Sequence, residues 1–163
     1  MTIKYTPIGI IHSPHITRQG MPIQPTGAKG VKGTVEVFED FSPGLKDLDG
    51  FSHIILLYFF HRSKGYELET IPFLDTEPRG VFATRAPKRP NPIGLSIVRL
   101  KRIDGRILYI ENIDVIDNTP LIDIKPYVPD FDALPNTQTD VRTGWLEDVK
   151  KKDIERKSDD RFK

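Results

Sequence analysis

Leu95-Ser96-Ile97-Val98-Arg99-Leu100-Lys101-Arg102-Ile103, then Asp104-Gly105, then Arg106-Ile107-Leu108-Tyr109-Ile110-Glu111-Asn112-Ile113: two runs rich in β-branched residues meet at a dipeptide favoured in tight hairpins. Asp-Gly suits a type I′ turn, in which both central residues take positive φ. The stretch therefore predicts two antiparallel strands, Leu95–Ile103 and Arg106–Ile113. Upstream, Phe51 to His61 holds seven consecutive apolar residues, Ile54 to Phe60. That is too few for an ordinary buried helix and predicts a central strand covered on both faces.

Further extended pieces follow outward from this centre. Tyr5–Ile11, Lys32–Phe38 with its polar–apolar alternation, Gly80–Thr84, Val115–Ile116 and Leu121–Val128 all read as short strands. Many short strands at regular spacing predict an all-β chain, closed as a barrel or stacked as a sandwich. Thr143–Lys157 reads as a charged surface helix with Trp145, Leu146, Val149 and Ile154 as its apolar anchors, and Ser158–Lys163 as a fraying end. The division expected is 1–142 for the β domain and 143–163 for the helical tail, with Thr17–Gly30 as a long loop of the kind that often carries function.

Composition narrows the classes. The 163 residues suit one domain, and the absence of Cys excludes disulfides and thiolate-bound metal sites. No cleavable signal follows Met1 and no apolar run approaches a bilayer's thickness, so a cytoplasmic protein away from membranes is expected. Net charge is +1, but Arg79, Arg85, Lys88, Arg89, Arg99, Lys101, Arg102 and Arg106 face only Asp104 within their segment. Such a block is either a solvated face or a polyanion contact.

Familiar catalytic signatures are missing. Gly27, Gly30 and Gly33 lead into a strand and lack the Gly-Lys-Ser/Thr ending of a phosphate loop, no Gly-x-Gly-x-x-Gly opens a helix, and Ser96 is not in a Gly-x-Ser-x-Gly elbow. His12 and His15 do not have zinc-site spacing, and no metal is expected. His53 reads as a structural histidine, and its even separation from His61 predicts side chains on one face. His61 ends the strand beside Arg62, where sites on β scaffolds tend to be built. In Thr84–Gly94, Pro87, Pro90 and Pro92 stiffen a backbone from which Arg85, Lys88, Arg89 and Asn91 project. Asp117-Asn118-Thr119-Pro120 and Asp123–Pro129 are two further constrained polar stretches, which serve equally as turns and strand edges.

Three blocks together carry a resemblance: Asp49-Gly50-Phe51-Ser52-His53-Ile54; Phe82–Pro87 with Arg89-Pro90-Asn91-Pro92-Ile93-Gly94-Leu95-Ser96; and Asp117–Pro120 with Asp123–Pro129. From about Ile8 to Asp132 the chain resembles the TsaA-like (TrmO) family, whose characterised members are S-adenosylmethionine-dependent tRNA N6-adenosine methyltransferases. The resemblance implies a small antiparallel β-barrel, usually dimeric, with tRNA as partner and S-adenosylmethionine as cofactor. It further implies methylation of N6 of threonylcarbamoyladenosine beside the anticodon. By position it implies cofactor contacts at Gln24, Pro25, His61, Arg62, Arg85, Leu95, Asp117, Asn118, Thr119 and Pro120. Arg89, Asn91, Lys125 and Tyr127 match further motif positions, and together with Lys88 they are the expected RNA contacts, Lys88 and Arg89 lying where RNA phosphates can reach. Homodimer formation is also suggested by Leu56, Tyr58 and Phe60, which a small barrel leaves open to a partner.

The chain departs from the bacterial pattern at Asn118, where Gly is common, at Ala86, where Ser is common, and in ending soon after the barrel. Asn tolerates the left-handed conformation that such a turn requires. A carbamoylated N6 is poorly nucleophilic, so a proton acceptor helps; Asp117 and His61 are the candidates, and Arg85 can hold the cofactor carboxylate or organise the site. The alternatives are a module that binds S-adenosylmethionine or RNA without methyl transfer, and a methyltransferase with another substrate.

Overall fold

The computed structural model describes residues 1–17, 19–21, 25–135 and 140–149. Its centre is a closed antiparallel barrel built from β1 (Gly9–His12), β2 (Lys32–Val37), β3 (His53–Phe59), β6 (Ile93–Asp104), β7 (Ile107–Glu111) and β8 (Thr119–Pro126). They close in the order β1-β2-β7-β6-β3-β8. Two-residue strands β4 (Glu69–Thr70) and β5 (Arg79–Gly80) pair in the long β3–β6 connection. Short helices α1 (Pro129–Asp132) and α2 (Leu146–Val149) follow the barrel. The rest of the expected 143–157 helix and the fraying end lie outside the described residues.

The β6–β7 hairpin forms, with a different turn from the one its dipeptide suggests. Asp104 pairs with Ile107, so Gly105 and Arg106 are the central residues. Of these only Gly105 has positive φ, 57°, which is the sign pattern of type II′, where Gly occupies the first central position. Lys101 is an extra residue between Leu100 and Arg102, a bulge that increases local twist and helps the sheet curl.

Three expected strands differ in extent or kind. The first begins at Gly9 rather than Tyr5, although Ile8 still donates its N–H to Leu121 O. Gly80–Thr84 is a 3-10 turn, Val81–Ala83, because the Thr84 hydroxyl and N–H both bond back to the carbonyl of Val81. Ile116 O accepts the Thr119 hydroxyl in the same way, so Val115–Ile116 belongs to a turn and β8 starts at Thr119.

β3 is not covered on both faces. Ile54, Leu56 and Tyr58 point inward and are buried, whereas Ile55, Leu57 and Phe59 point outward and are partly exposed. This reverses the side suggested for a dimer contact: Leu56 and Tyr58 are core, and Phe60 packs against it. Because side chains alternate with period two, an unbroken apolar run conceals which parity faces solvent. The barrel interior is filled by Ile11, Val35, Val37, Ile54, Leu56, Val98, Leu108, Ile110 and Leu121. Burial of each such side chain contributes about 1.5–3 kcal/mol.

Candidate active site at the mouth of the barrel

Antiparallel pairing brings the ends of β1, β3 and β7 together with the starts of β2, β6 and β8 at one end of the barrel. The 13–31, 60–92 and 112–118 connections emerge there, whereas the 38–52 connection lies at the opposite end. The 13–31 and 112–118 connections are laced together. Ser13 N–H donates to Asp117 Oδ1 at 3.0 Å, Ser13 Oγ donates to Val115 O at 2.6 Å, and Asp117 N–H donates to His15 O at 2.8 Å. His15 Nε2–H donates to Ile113 O at 3.2 Å, and Gly30 N–H to Asn112 Oδ1 at 2.9 Å. The guanidinium of Arg62 donates to Ile16 O at 3.0 Å and joins the end of β3 to the same assembly.

Of the residues singled out in the sequence, Arg62, Arg85, Lys88, Arg89, Asn91, Leu95 and Asp117–Pro120 belong to this end. His61 joins them without continuing the strand: its N–H bonds to Phe59 O, so the chain turns and its parity with His53 is lost. His61 Nδ1 stands 3.4 Å from Thr119 Oγ1, whose own hydrogen goes to Ile116 O. His53 sits at the other end, bonded to Ser52 Oγ and edge-on to Tyr127, a structural role. Asn118 has φ 60°, the left-handed conformation expected of it, and its side chain donates to Asp117 Oδ2 at 2.7 Å. Asp117 Oδ1 also faces His12 Nδ1 at 3.6 Å. Both Asp117 oxygens are thus engaged in shaping the turn.

Pro25 opens a 3-10 turn, Pro25–Ala28, while Gln24 lies outside the described residues. Lys125 and Tyr127 sit at the opposite end, next to Ile55 and His53 in the register, and Lys125 pairs with Asp123 at 2.8 Å. Lys88 and Arg89 do not project freely: Lys88 Nζ approaches Glu67 at 3.7 Å and Arg89 donates to Thr84 O at 3.1 Å. Trp145 donates its indole N–H to Ala83 O at 2.9 Å and stacks near Arg79, so the chain after the barrel returns to the turn that precedes Arg85.

The feature not singled out in the sequence is a polar layer inside the mouth. The core is apolar until Tyr58, Ser96 and Thr119, all buried. Tyr58 Oη lies 3.0 Å from Ser96 Oγ, and Ser96 Oγ donates to Asp114 Oδ1 at 2.6 Å. With the serine proton committed to Asp114, the tyrosine hydroxyl donates to the serine. Burial raises the Asp114 pKa to about 6, against the opposing effects of the Ser96 hydrogen bond and the Arg85 charge. Burial also holds the Tyr58 hydroxyl far above its usual range, so it stays neutral. Gly94 explains part of the Pro-Ile-Gly string: a Cβ there would sit 2.2 Å from the Tyr58 ring, so glycine makes room for the chain's first member. Asp114 was one acid among several in the sequence; only the closure of the barrel sets it against residues 18 and 56 positions away. Among the described residues no three His, Asp or Glu side chains are arranged to share a metal ion.

An antiparallel barrel whose apolar core gives way to a polar mouth beneath three interlocked loops defines a β-barrel binding domain. Residues 10–133 match the family model described as the tRNA-methyltransferase O N-terminal domain, and the chain belongs to that family. A Pyrococcus abyssi protein named as a probable S-adenosyl-L-methionine-binding protein is 54% identical over 162 residues, covering 99% of this chain and 86% of the relative. The tRNA (adenine(37)-N6)-methyltransferase of Escherichia coli is 37% identical, with 83% of this chain and 62% of the enzyme covered. The crystal structure of TrmO from Pseudomonas aeruginosa superposes with a TM-score of 0.72 at 39% identity, covering 89% of this chain and 63% of that one. This chain thus spans about three fifths of the named methyltransferase and of the solved structure, and most of the Pyrococcus relative.

Proposed function

We propose that the chain is an S-adenosylmethionine-dependent tRNA methyltransferase acting on N6 of the adenosine beside the anticodon, with the threonylcarbamoyl form as substrate. The observation that carries this is the convergence at one barrel end of His61, Arg62, Arg85, Leu95 and Asp117–Pro120, in a chain of this family. These residues suit the donor molecule. Exposed Leu95 and half-buried Pro120 offer apolar surface to a nucleoside, and exposed Arg85 offers a cation to an amino-acid carboxylate. When bound, S-adenosylmethionine supplies an activated methyl group on a sulfonium, which leaves the protein to align the nucleophile and accept a proton.

The interlocked loops do the aligning. Hydrogen bonds from Ser13 and Asn118 fix Asp117, and Arg62 pins the 13–31 connection, so little ordering remains to be done on binding. Lys88, Arg89 and Asn91 are the proposed RNA contacts beside the mouth; Lys125 and Tyr127, at the far end, would require tRNA to wrap the barrel. A homodimer is part of the proposal, with the outward stripe of Ile55, Leu57, Phe59 and Ile97 as its surface; Phe59 and Ile97 are 40% and 37% exposed. No helix among the described residues is long and apolar enough to cross a membrane. A cytoplasmic location is part of the same proposal.

Incubation of the protein with labelled S-adenosylmethionine and bulk tRNA carrying the threonylcarbamoyl modification tests the proposal. Label should appear in tRNA and, after digestion, in the N6-methylated nucleoside. Donor binding by calorimetry without transfer would leave a binding module, which is how the Pyrococcus relative is named; label in another nucleoside would overturn the substrate.

A further inference from the structure

The polar chain inside the mouth has a direction and an end. Tyr58 donates to Ser96, Ser96 donates to Asp114, and Asp114 terminates the chain as acceptor. A buried polar chain costs stability unless every member is satisfied. The other acidic candidate at this end is occupied differently: both Asp117 oxygens hold turn-forming donors, Ser13 N–H and Asn118 Nδ2, with His12 nearby. Asp114 sits in the 112–118 connection between buried Ile113 and Val115, and is itself only partly enclosed as a residue. The titratable or charged groups that bear on it are Tyr58 from β3 and Arg85 from the 60–92 connection, with the Ser96 hydroxyl from β6.

We propose that Asp114 is the group that takes the proton from N6 during methyl transfer, held by the Tyr58–Ser96 relay. This rests on the methyltransferase function proposed above. In the balanced step the N6–carbon bond forms, the methyl–sulfur bond breaks with its electron pair going to sulfur, and the N6 proton passes to an Asp114 carboxylate oxygen. Ser96 stabilises the carboxylate before the transfer by donating to Oδ1. After it, the proton rests on the Asp114 oxygen that is not bonded to Ser96, so Ser96 still donates to Oδ1 and Tyr58 to Ser96 in both protonation states. A carboxyl raised toward neutrality by burial is a stronger base than an exposed one and is still largely ionised at pH 7. Arg85, a cation bearing on both Asp114 and Tyr58, keeps that ionised form available.

Two measurements test this. Carboxyl NMR of the cofactor-free protein, labelled at aspartate, should show one carboxyl titrating near pH 6 that vanishes in Asp114→Asn and moves to higher pH in Ser96→Ala. Single-turnover methyl transfer to modified tRNA should rise through the same pH range. Asp114→Asn should lower the rate about 100-fold or more and abolish that limb, with donor affinity by calorimetry kept within about twofold. Ser96→Ala should shift the limb upward and keep most of the rate above it; this variant decides the matter if Asp114→Asn does not fold. An Asp114→Asn rate and pH profile like wild type, absence of the raised carboxyl, or loss of donor binding in Asp114→Asn would each overturn the assignment alone. Wild-type protein that transfers no methyl at any pH would overturn the methyltransferase proposal and this one with it.

Discussion

The two ends of the barrel are closed by opposite means. At the mouth, three long connections are tied by side-chain hydrogen bonds, and the core ends in Tyr58, Ser96, Thr119 and Asp114. At the far end the 3-10 turns Glu39–Leu45 and Leu48–Gly50 press Leu45 and Leu48 onto the core. A half-open pocket of about 430 Å³ beside them is lined by Phe41, Leu45, Phe51 and Ile124 and also by the charged Lys46, Asp47 and Asp123. The far end rests on apolar side chains beneath an open, partly charged rim; the mouth keeps buried polar groups that cost stability unless satisfied. A layer of buried, hydrogen-bonded polar groups beneath the loops is what sets the mouth apart from the far end.

The sharpest way to break the comparison is a single methyl group placed at each end. Gly94→Ala drives a Cβ into the buried Tyr58 ring and should cost about 3 kcal/mol, whereas Gly44→Ala, with nothing within 4 Å of the added carbon, should change stability by less than about 0.5 kcal/mol. Denaturant midpoints at constant m-value measure both. Equal effects would mean that the Tyr58 layer is loosely packed.

Next in size is the cost of ionising Asp114. Its pKa is about 6 in the folded protein against 3.8 for an unperturbed carboxyl, so the folded state binds the proton more tightly. Stability is then greatest below about pH 4 on this account and is lost as pH rises through 6, by up to roughly 3 kcal/mol. Asp114→Asn should remove that slope, so its advantage over wild type grows between about pH 4 and 7 in parallel unfolding curves. A flat difference curve would show that the carboxylate is well solvated.

A smaller effect belongs to the turn that holds Asp117. Asn118→Ala puts a Cβ without a local hydrogen-bonding side chain into φ 60° and should cost about 1–2 kcal/mol, while Asn118→Gly should be nearly neutral. Thermal unfolding of the pair separates backbone strain from the lost bond to Asp117.

The smallest effect is electrostatic. Replacing Lys88 and Arg89 together by Ala should weaken tRNA binding and reduce its salt dependence by roughly one to two counterions while leaving donor affinity nearly unchanged; Arg85→Ala should reduce donor affinity first. Filter binding at several salt concentrations and calorimetry check the contrast. Because Lys88 and Arg89 are partly committed to Glu67 and Thr84, an unchanged salt slope would make them loop supports.

How much of this was legible in the sequence follows from the range of each interaction. The β6–β7 hairpin is a local event and could be read from Asp104-Gly105, although one residue of turn register was hidden because Gly105 suits either the second place of one turn or the first of another. The parity of β3 was not legible, since Ile54 to Phe60 carries no polar residue to mark the outside. Motif residues flanking the mouth were marked by proline and by charge. Asp114 was one of several acids in its stretch with no proline beside it, and its environment is made by β3 and β6, which only barrel closure brings to it.

Trp145 is the only tryptophan in the chain, and its indole is hydrogen-bonded to Ala83, two residues before Arg85. The protein therefore contains an optical probe already wired to its loop. Indole emission depends on the polarity and hydrogen bonding of its surroundings, so any ligand that draws Arg85 and the Val81–Ala83 turn toward the mouth changes the colour or intensity of a signal that, with excitation beyond tyrosine absorption, comes from this one residue. Stopped-flow fluorescence on the unlabelled chain can thus time loop movement apart from chemistry.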